Sequence, residues 1–272
     1  MDDNKDIDKA VEKRFGHKND MFETNENNNI KHIIGIASGK GGVGKSMVTS
    51  LLAVNLAKKG YKVGILDADI TGPSIPKGFG VPSYVDGTDT LMYPQVTKNG
   101  IKIMSINLLF DDPTIPVLWR GPMIGSALKQ FYCDVLWGEL DFLLIDMPPG
   151  TGDVPMTIYQ SVPIDGVVIV STPQDLVKMI VGKAVNMCKQ MNVNVLGLVE
   201  NMSYMNCPCC NNKIYPFGES KLDEVAKFYD IVPLGSLPIN PDSNKHVDNG
   251  TVEDINTDVL NEISEKIDAL LN

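Results

Sequence analysis

The sequence predicts an α/β fold of three layers: a doubly wound, mostly parallel sheet with helices on both faces. Short apolar stretches alternate with stretches of helical spacing from residue 30 onward. Strands that are apolar along their whole length are typical of a parallel sheet that is buried on both sides. With 272 residues, of which 43% are hydrophobic, the chain is long enough to bury one large core of this kind.

The first strand, loop and helix contain a phosphate-binding motif. The apolar run 33–37 predicts a buried strand, and the apolar spacing within 47–58 predicts a helix. The loop between them fits G-x-x-x-x-G-K-[ST], and its residues are Gly39, Lys40, Gly41, Gly42, Val43, Gly44, Lys45 and Ser46. In this setting backbone N–H groups and the helix N-terminus bind phosphate, Lys45 reaches the β- and γ-phosphates, and the Ser46 hydroxyl ligates Mg²⁺. The fold is therefore predicted to be that of a P-loop NTPase.

The remaining elements follow from the same periodicity. They are, in order, a strand at 61–67, a loop region at 71–100, a strand at 101–106, a helix at 123–137, a strand at 140–146, a helix at 157–162, a strand at 166–171, a helix at 176–191, a strand at 193–199, a helix at 221–228, a strand at 231–234 and a final helix at 252–271. We expect one domain over residues 29–272, with a cysteine-bearing loop at 203–216. Residues 1–28 are polar and are expected to form a flexible tail.

Three aspartates follow predicted strands at the edge of the sheet where the phosphate loop lies. Asp146 ends an apolar strand and is placed to hold Mg²⁺ opposite Ser46, which is the Walker B role. Asp67 and Asp69 lie at the end of the second strand, where one can face the metal and the other the attacking water. The alternative is that these carboxylates only stabilise the turns that follow them.

Asn201 follows the predicted strand at 193–199, at the same edge of the sheet. A side-chain amide offers both a donor and an acceptor, so it can contact the edge of a nucleotide base. From the residues alone, an ordinary turn asparagine is an equally good interpretation.

Cys207 and Cys210 have the C-x-x-C spacing of a pair that binds one metal ion or cluster. Structural zinc and Fe–S centres usually need four ligands, and Cys133 and Cys188 stand alone in predicted helices. A symmetric dimer would complete the site with a second copy of the pair. A redox pair and a purely structural loop remain alternatives, although Pro208 favours a loop over the helix start that a thioredoxin-like pair needs.

The composition excludes several kinds of partner. The net charge of −10 and the pI of 4.8 argue against a nucleic-acid-binding surface. No run approaches the ~18 apolar residues of a membrane span, and the N-terminus lacks the apolar core of a secretory signal. Five cysteines, of which three lie within 207–210, do not resemble a disulfide framework. We therefore expect a cytoplasmic protein with no nucleic-acid or membrane partner.

Several stretches together resemble one family. Residues 40–46 resemble the deviant phosphate loop of the MinD/ParA/nitrogenase-iron-protein class, whose signature lysine corresponds to Lys40. Within that class, five further stretches resemble the iron–sulfur cluster carrier ATPases of the Mrp/ApbC type. They are 67–76, 119–123, 146–153, 171–175 and 200–210. The motifs occur in the same order as in the family and span residues 30–240.

The resemblance implies a homodimer that binds ATP and Mg²⁺ and holds a [4Fe–4S] cluster between Cys207 and Cys210 of its two copies. It implies that Lys40 contacts nucleotide across the dimer interface, that Asp69 positions the hydrolytic water and that Asn201 contacts adenine. Recipients of the cluster would be apo iron–sulfur proteins. Hydrolysis is expected to be slow, because the nucleotide serves to switch the dimer.

Two other functions of the same class remain as alternatives. A MinD/ParA-like positioning ATPase would need a basic amphipathic helix or a basic surface, whereas the final helix at 252–271 carries six acidic residues and one lysine. A nitrogenase-iron-protein-like reductase would need a cluster cysteine after the Walker B turn, and 147–153 contains none. Some cluster carriers have an additional N-terminal four-cysteine site, but residues 1–28 contain no cysteine.

Overall fold

The structure is a computed structural model that describes residues 21–69, 74–82, 84–88, 90–105, 108, 121–173 and 177–272. Several predicted features therefore lie outside the described residues in whole or in part. They are the tail over 1–20, residues 70–73 of the stretch 67–76, residues 119 and 120 of the motif at 119–123, residues 174 and 175 of the stretch 171–175, and the terminal residues 106 and 176 of the strand expected at 101–106 and the helix expected at 176–191.

Alternating strands and helices make up the described chain, as the periodicity predicts. The strands are β1 (Asn29–Ala37), β2 (Val63–Asp67), β3 (Asp86–Gly87), β4 (Met92–Tyr93), β5 (Gln95–Val96), β6 (Lys102–Ser105), β7 (Glu139–Asp146), β8 (Gly166–Ser171), β9 (Val195–Asn206), β10 (Lys213–Ile214) and β11 (Pro233–Pro238). The helices are α1 (Lys45–Lys58), α2 (Ile75–Phe79), α3 (Gly121–Cys133), α4 (Asp153–Ser161), α5 (Val177–Gln190), α6 (Leu222–Tyr229), α7 (Pro241–Asp248) and α8 (Asn261–Leu271).

Parallel pairing runs through the centre of the sheet in the order β11-β9-β8-β1-β7-β2-β6. Two short strands pair antiparallel with this array, β5 with β6 and β10 with the end of β9. β1 lies at the centre with β7 and β8 on either side, so the loop that follows β1 emerges at the middle of the carboxyl edge. Ligands of open α/β sheets bind at this edge.

The sheet separates two apolar layers, which confirms the doubly wound α/β prediction. Because side chains alternate along a strand, Ile33 and Ala37 of β1 face one layer while Ile34 and Ile36 face the other. The first layer is formed with α3, α4, α5 and α6, and the second with α1, α2 and α8. Every residue of β2 and β8 is buried, as expected for strands covered on both faces.

Two helices are shorter than the periodicity predicts. The helix expected over 123–137 ends at Cys133, because Val135 leaves the helix to form a parallel bridge with Met92. The helix expected over 252–271 begins only at Asn261, after two 3₁₀ turns at 252–254 and 258–260. In both places the apolar residues keep the spacing of a helix, although they contact other parts of the fold instead of extending the helix.

Other elements also depart from prediction. The region expected as a loop at 71–100 contains the short helix α2 and the short strands β3, β4 and β5. β9 continues to Asn206, well beyond the strand expected at 193–199, because β11 and then β10 pair with its distal half. α7 was not predicted, although its start carries a cap signal: the Asn240 side chain accepts a hydrogen bond from the Asp242 N–H at 3.0 Å, and Pro241 follows the cap.

Residues 21–28 lie against the domain, ahead of the boundary expected at residue 29. The Phe22 N–H donates to the Ser161 carbonyl at 2.7 Å, and its ring packs on the core layer that contains α3 and α4. Asn28 Nδ2 donates to the Val135 carbonyl at 2.9 Å. The stretch directly before β1 is therefore held against the end of α4 and the residues that follow α3 rather than extended from the fold.

Candidate nucleotide and cluster site

The phosphate loop connects β1 to α1 and borders a cavity of about 280 Å³. Gly42 and Gly44 have φ of 80° and 78°, a left-handed conformation that glycine adopts without steric cost. The Val48 N–H donates to the Gly44 carbonyl at 3.0 Å and so begins α1. Beyond the loop, the cavity is lined by Met47, Asp69, Ser74 and Pro149. The helix N-terminus and the loop together form a cradle suited to phosphate.

Asp146 is the centre of a buried polar cluster beneath this loop. Its carboxylate lies 2.8 Å from Lys45 Nζ, and both side chains are almost completely buried. The Ser46 hydroxyl donates to Asp146 Oδ2 at 2.6 Å, and the Thr49 hydroxyl donates to Oδ1 at 2.7 Å. A hydroxyl and a carboxylate in contact are a pair of hard oxygen ligands, so the chemistry of Ser46 and Asp146 fits Mg²⁺. Sequence reasoning missed Thr49, which the helical spacing from Lys45 could have indicated.

Asp67 and Asp69 lie in different surroundings. Asp67 is buried, faces Asp146 in the register of β2 and β7, and accepts hydrogen bonds from the Ser105 hydroxyl and the Asp69 N–H. Burial, and then the negative charge of Asp146, raise the pKa of Asp67 to about 8. Asp69 is half-buried and lines the cavity. The metal role of Asp67 and the water-positioning role of Asp69 stay predictions.

Lys40 and Asn201 are the two other residues predicted to bind nucleotide. Lys40 is half-exposed at the start of the loop, and its carbonyl accepts a hydrogen bond from the Ser38 hydroxyl at 2.9 Å. Asn201 was expected beyond the end of a strand, but it lies within β9 and is buried. Its Nδ2 donates to the Val43 carbonyl at 2.9 Å, so in this structure the amide contacts the phosphate loop itself.

The cysteine motif occupies the tip of a hairpin formed by β9 and β10. The Cys207 N–H donates to the Asn212 carbonyl at 2.9 Å, and the Asn211 N–H donates to the Cys207 carbonyl at 2.8 Å. Cys207 is half-buried, whereas Cys209 and Cys210 are exposed. A cysteine-bearing loop was predicted over 203–216. In the structure this range contains the end of β9 and all of β10, and the cysteines occupy the turn between them.

The hairpin tip favours a thiolate at Cys207. Backbone N–H groups of Cys209 and then of Cys210 donate to its sulfur and lower the pKa of the thiol below its ordinary value. The thiolate is the form that ligates metals. Across the part of the chain that the structure describes, no three His, Cys, Asp or Glu side chains are grouped to hold a metal ion. One copy of the hairpin therefore supplies an incomplete site.

The other two cysteines lie in helices, as predicted. Cys188 is buried in α5, where its sulfur lies 3.8 Å from the Tyr159 hydroxyl oxygen, and burial raises the pKa of its thiol. Cys133 ends α3, is partly buried, and burial likewise raises the pKa of its thiol. The pKa shifts of both thiols are thus opposite in direction to that of Cys207.

Comparison with known proteins gives consistent results. Residues 29–271 match the model of the ParA group described as "NUBPL iron-transfer P-loop NTPase". An iron–sulfur cluster carrier protein of Clostridium perfringens is 50% identical over 234 residues, which cover 83% of this chain and 82% of the relative. The sequence-based resemblance to iron–sulfur carriers is thus confirmed at the level of the family.

Solved structures agree on the fold. A nucleotide-binding protein of Archaeoglobus fulgidus in complex with ADP has a TM-score of 0.76 and 47% identity, with 85% of this chain and 91% of that chain covered. MinD of Pyrococcus horikoshii, complexed with Mg-ADP, has a TM-score of 0.59 at 23% identity over 88% of this chain and 97% of its own, which supports the fold alone. No described helix has both the length and the apolar character that crossing a membrane requires. With its phosphate loop intact and the family match running from β1 to the end of α8, the chain belongs to the NUBPL iron-transfer P-loop NTPase family.

Proposed function

We propose that this chain is an ATP-hydrolysing carrier that holds a [4Fe–4S] cluster between two copies of itself and passes it to apo iron–sulfur proteins in the cytoplasm. One observation carries the proposal: an exposed hairpin presents Cys207 and Cys210 at the end of the strand that also contacts the phosphate loop, and hydrogen bonds lower the pKa of the Cys207 thiol. The names of the relatives, iron–sulfur cluster carrier proteins, support the same cargo.

The cluster is the cargo of this site rather than a buried structural centre. A [4Fe–4S] cluster requires four thiolates as a rule, and one hairpin offers the Cys207–Cys210 pair. Two hairpins related by a two-fold axis offer four, because an isologous contact brings the same surface of each copy together. Ligands at the tip of a hairpin, of which Cys210 is exposed, also leave the cluster accessible to a recipient, which a carrier needs and a structural site does not.

In this proposal, nucleotide binding and hydrolysis control the conformational state of the dimer. We assign phosphate binding to the loop 39–46, Mg²⁺ to Ser46 and Asp146 with Asp67 beside them, water positioning to Asp69 and adenine contact to Asn201. Lys40 lies at the exposed start of the loop, a position from which it can reach the nucleotide of the second copy. Hydrolysis is slow in this proposal, since its task is to change the state of the dimer once per cargo.

Paired cysteine substitutions test the cluster site. After anaerobic reconstitution with iron and sulfide, Cys207→Ala together with Cys210→Ala should lose the broad visible absorbance of the cluster, while Cys209→Ala should keep it. Cys209 is the matched control because it is an exposed cysteine of the same hairpin tip. Retained [4Fe–4S] absorbance in the double variant would contradict the proposed ligands.

A further inference from the structure

A deformation in β9 lies between the phosphate loop and the cysteine hairpin. The pairing of β9 with β8 ends at Glu200, while its pairing with β11 continues to Tyr204. From Glu200 to Tyr204 this second pairing passes from Ser236 to Pro238, so β9 has two more residues than β11 over the same length. Extra residues of this kind form a bulge, which bends the strand and redirects its side chains.

Met202 occupies this bulge with φ of 57°, in the left-handed region that long side chains rarely adopt. The turn of the backbone brings two consecutive side chains to the same partner, although neighbours in a regular strand point to opposite faces. A Cβ on Gly44 would lie 2.3 Å from Asn201 Nδ2 and 3.2 Å from Met202 Cε. Both side chains therefore rest on the phosphate loop.

Glu200 fastens the hairpin on the other side of the bulge. Its buried carboxylate accepts hydrogen bonds from the Ser203 hydroxyl at 2.6 Å and from the Lys221 N–H at 3.0 Å. Ser203 begins the outgoing arm of the cysteine hairpin, and Lys221 ends the segment that returns from it. One carboxylate thus ties both ends of the chain that carries the cysteines to the strand before the bulge.

We propose that Met202 and Glu200 are positioning residues that couple the state of the phosphate loop to the cysteine hairpin. In this proposal, a shift of the Val43 carbonyl moves the Asn201 side chain that is bonded to it. The left-handed backbone at Met202 converts that movement into a rotation of the part of β9 that follows. Because the Glu200 carboxylate is bonded to both arms of the hairpin, the two arms move together. Strained backbone held by its surroundings is a known device of switch regions.

Thiol reactivity of the cluster-free chain tests the coupling. The inference rests on the proposed function only in taking the hairpin as the cluster site, so its test uses reduced protein without iron. Alkylation rates of Cys207 and Cys210 are measured by mass spectrometry without nucleotide and with saturating Mg-ATP or Mg-ADP. We expect nucleotide to change these rates by about fivefold or more, at the lower end of typical coupling between sites.

Variants with matched controls separate coupling from simple support of the fold. Met202→Gly removes both the thioether contact and the conformational constraint, and should reduce the nucleotide response to less than about twofold. Met205→Gly makes the same change farther along the same strand and should keep the response.

Glu200→Ala should lose the nucleotide response, whereas Glu200→Gln keeps an acceptor for the Lys221 N–H and should retain most of that response. If Met202→Gly does not fold, Met202→Asn, which tolerates the left-handed region, replaces it.

Two outcomes would overturn the inference. One is a wild-type chain that binds nucleotide, as measured by calorimetry, with no change in the alkylation of either cysteine. The other is an undiminished response in both Met202→Gly and Glu200→Ala. Failure of the cluster to assemble on a chain whose thiols do respond to nucleotide would instead contradict the proposed cargo and leave the coupling intact.

Discussion

Lys45 contributes to the fold through a buried ion pair. Its ammonium is buried against Asp146 at 2.8 Å, and that carboxylate is also held by two hydroxyl groups. Removing one partner of a buried ion pair leaves the other charge uncompensated, which typically costs about 3–5 kcal/mol. We therefore expect Lys45→Met to lower the free energy of unfolding of the nucleotide-free chain by about 3 kcal/mol, measured by urea denaturation.

Lys40→Met is the matched control, since it removes the same charge from the same loop. Lys40 is half-exposed, and substitutions at such positions usually change stability by no more than about 0.5 kcal/mol. Lys40→Met should therefore unfold like the wild type while losing ATP hydrolysis. Equal destabilisation by the two substitutions would show that the buried Lys45–Asp146 pair stabilises the fold no more than the half-exposed Lys40 does.

The cysteine hairpin depends on one residue of its turn. Asn211 has φ of 59°, a conformation that asparagine tolerates and β-branched residues do not. Asn211→Val should cost about 1–2 kcal/mol of local stability, and so lower the iron retained after reconstitution and desalting. Asn211→Gly should retain as much iron as the wild type, because glycine adopts this conformation freely.

Asn212→Val provides the comparison for this hairpin. The residue is exposed, adjoins Asn211 and lies outside the left-handed region, so the same side-chain change should leave iron retention unaltered. Iron and sulfide per chain are measured for all three variants. Equal loss in Asn211→Val and Asn212→Val would mean that side-chain chemistry, rather than backbone conformation, decides retention.

Local sequence patterns correctly predicted those elements whose hydrophobic periodicity or motif matches the structure they form. The strand at 166–171 matches β8, and the phosphate loop lies between a strand and a helix as its motif requires. The helix at 123–137 was overextended because Trp137 keeps helical spacing while its indole N–H donates to the Phe131 carbonyl from outside the helix. Tertiary contacts of this kind leave no trace in periodicity.

The extent of β9 was the larger omission, and it changed the understanding of the site. A strand prediction stops where apolar alternation stops, and the polar residues Glu200, Asn201 and Ser203 gave no reason to continue it. Each of these side chains has a specific partner, which only the assembled fold supplies. The cysteines could therefore be predicted from their spacing, but their continuity with the nucleotide site could not.

At the scale of the whole molecule, net charge and the proposed dimer oppose each other. Each copy carries a net charge of −10, so two copies repel one another at long range. Salt screens this repulsion, with a Debye length of about 10 Å at 0.1 M. The association of loaded chains should accordingly strengthen between 0.02 and 0.2 M salt, because the Debye length falls from roughly 20 Å to roughly 7 Å over this range.

Iron content and molecular mass, measured together, decide whether the cluster bridges two chains. Anaerobic size exclusion with light scattering should give the reconstituted protein twice the 29.7 kDa of one chain, with about two iron and two sulfide per chain, because one four-iron cluster is shared by two copies. Without nucleotide, the variant with Cys207→Ala and Cys210→Ala should keep the mass of a single chain after the same treatment. A loaded particle of one chain's mass with four iron would place the missing ligands within that chain. Since the described residues contain no group of three potential ligands, such ligands would have to come from a rearrangement of the hairpin or from residues beyond those described.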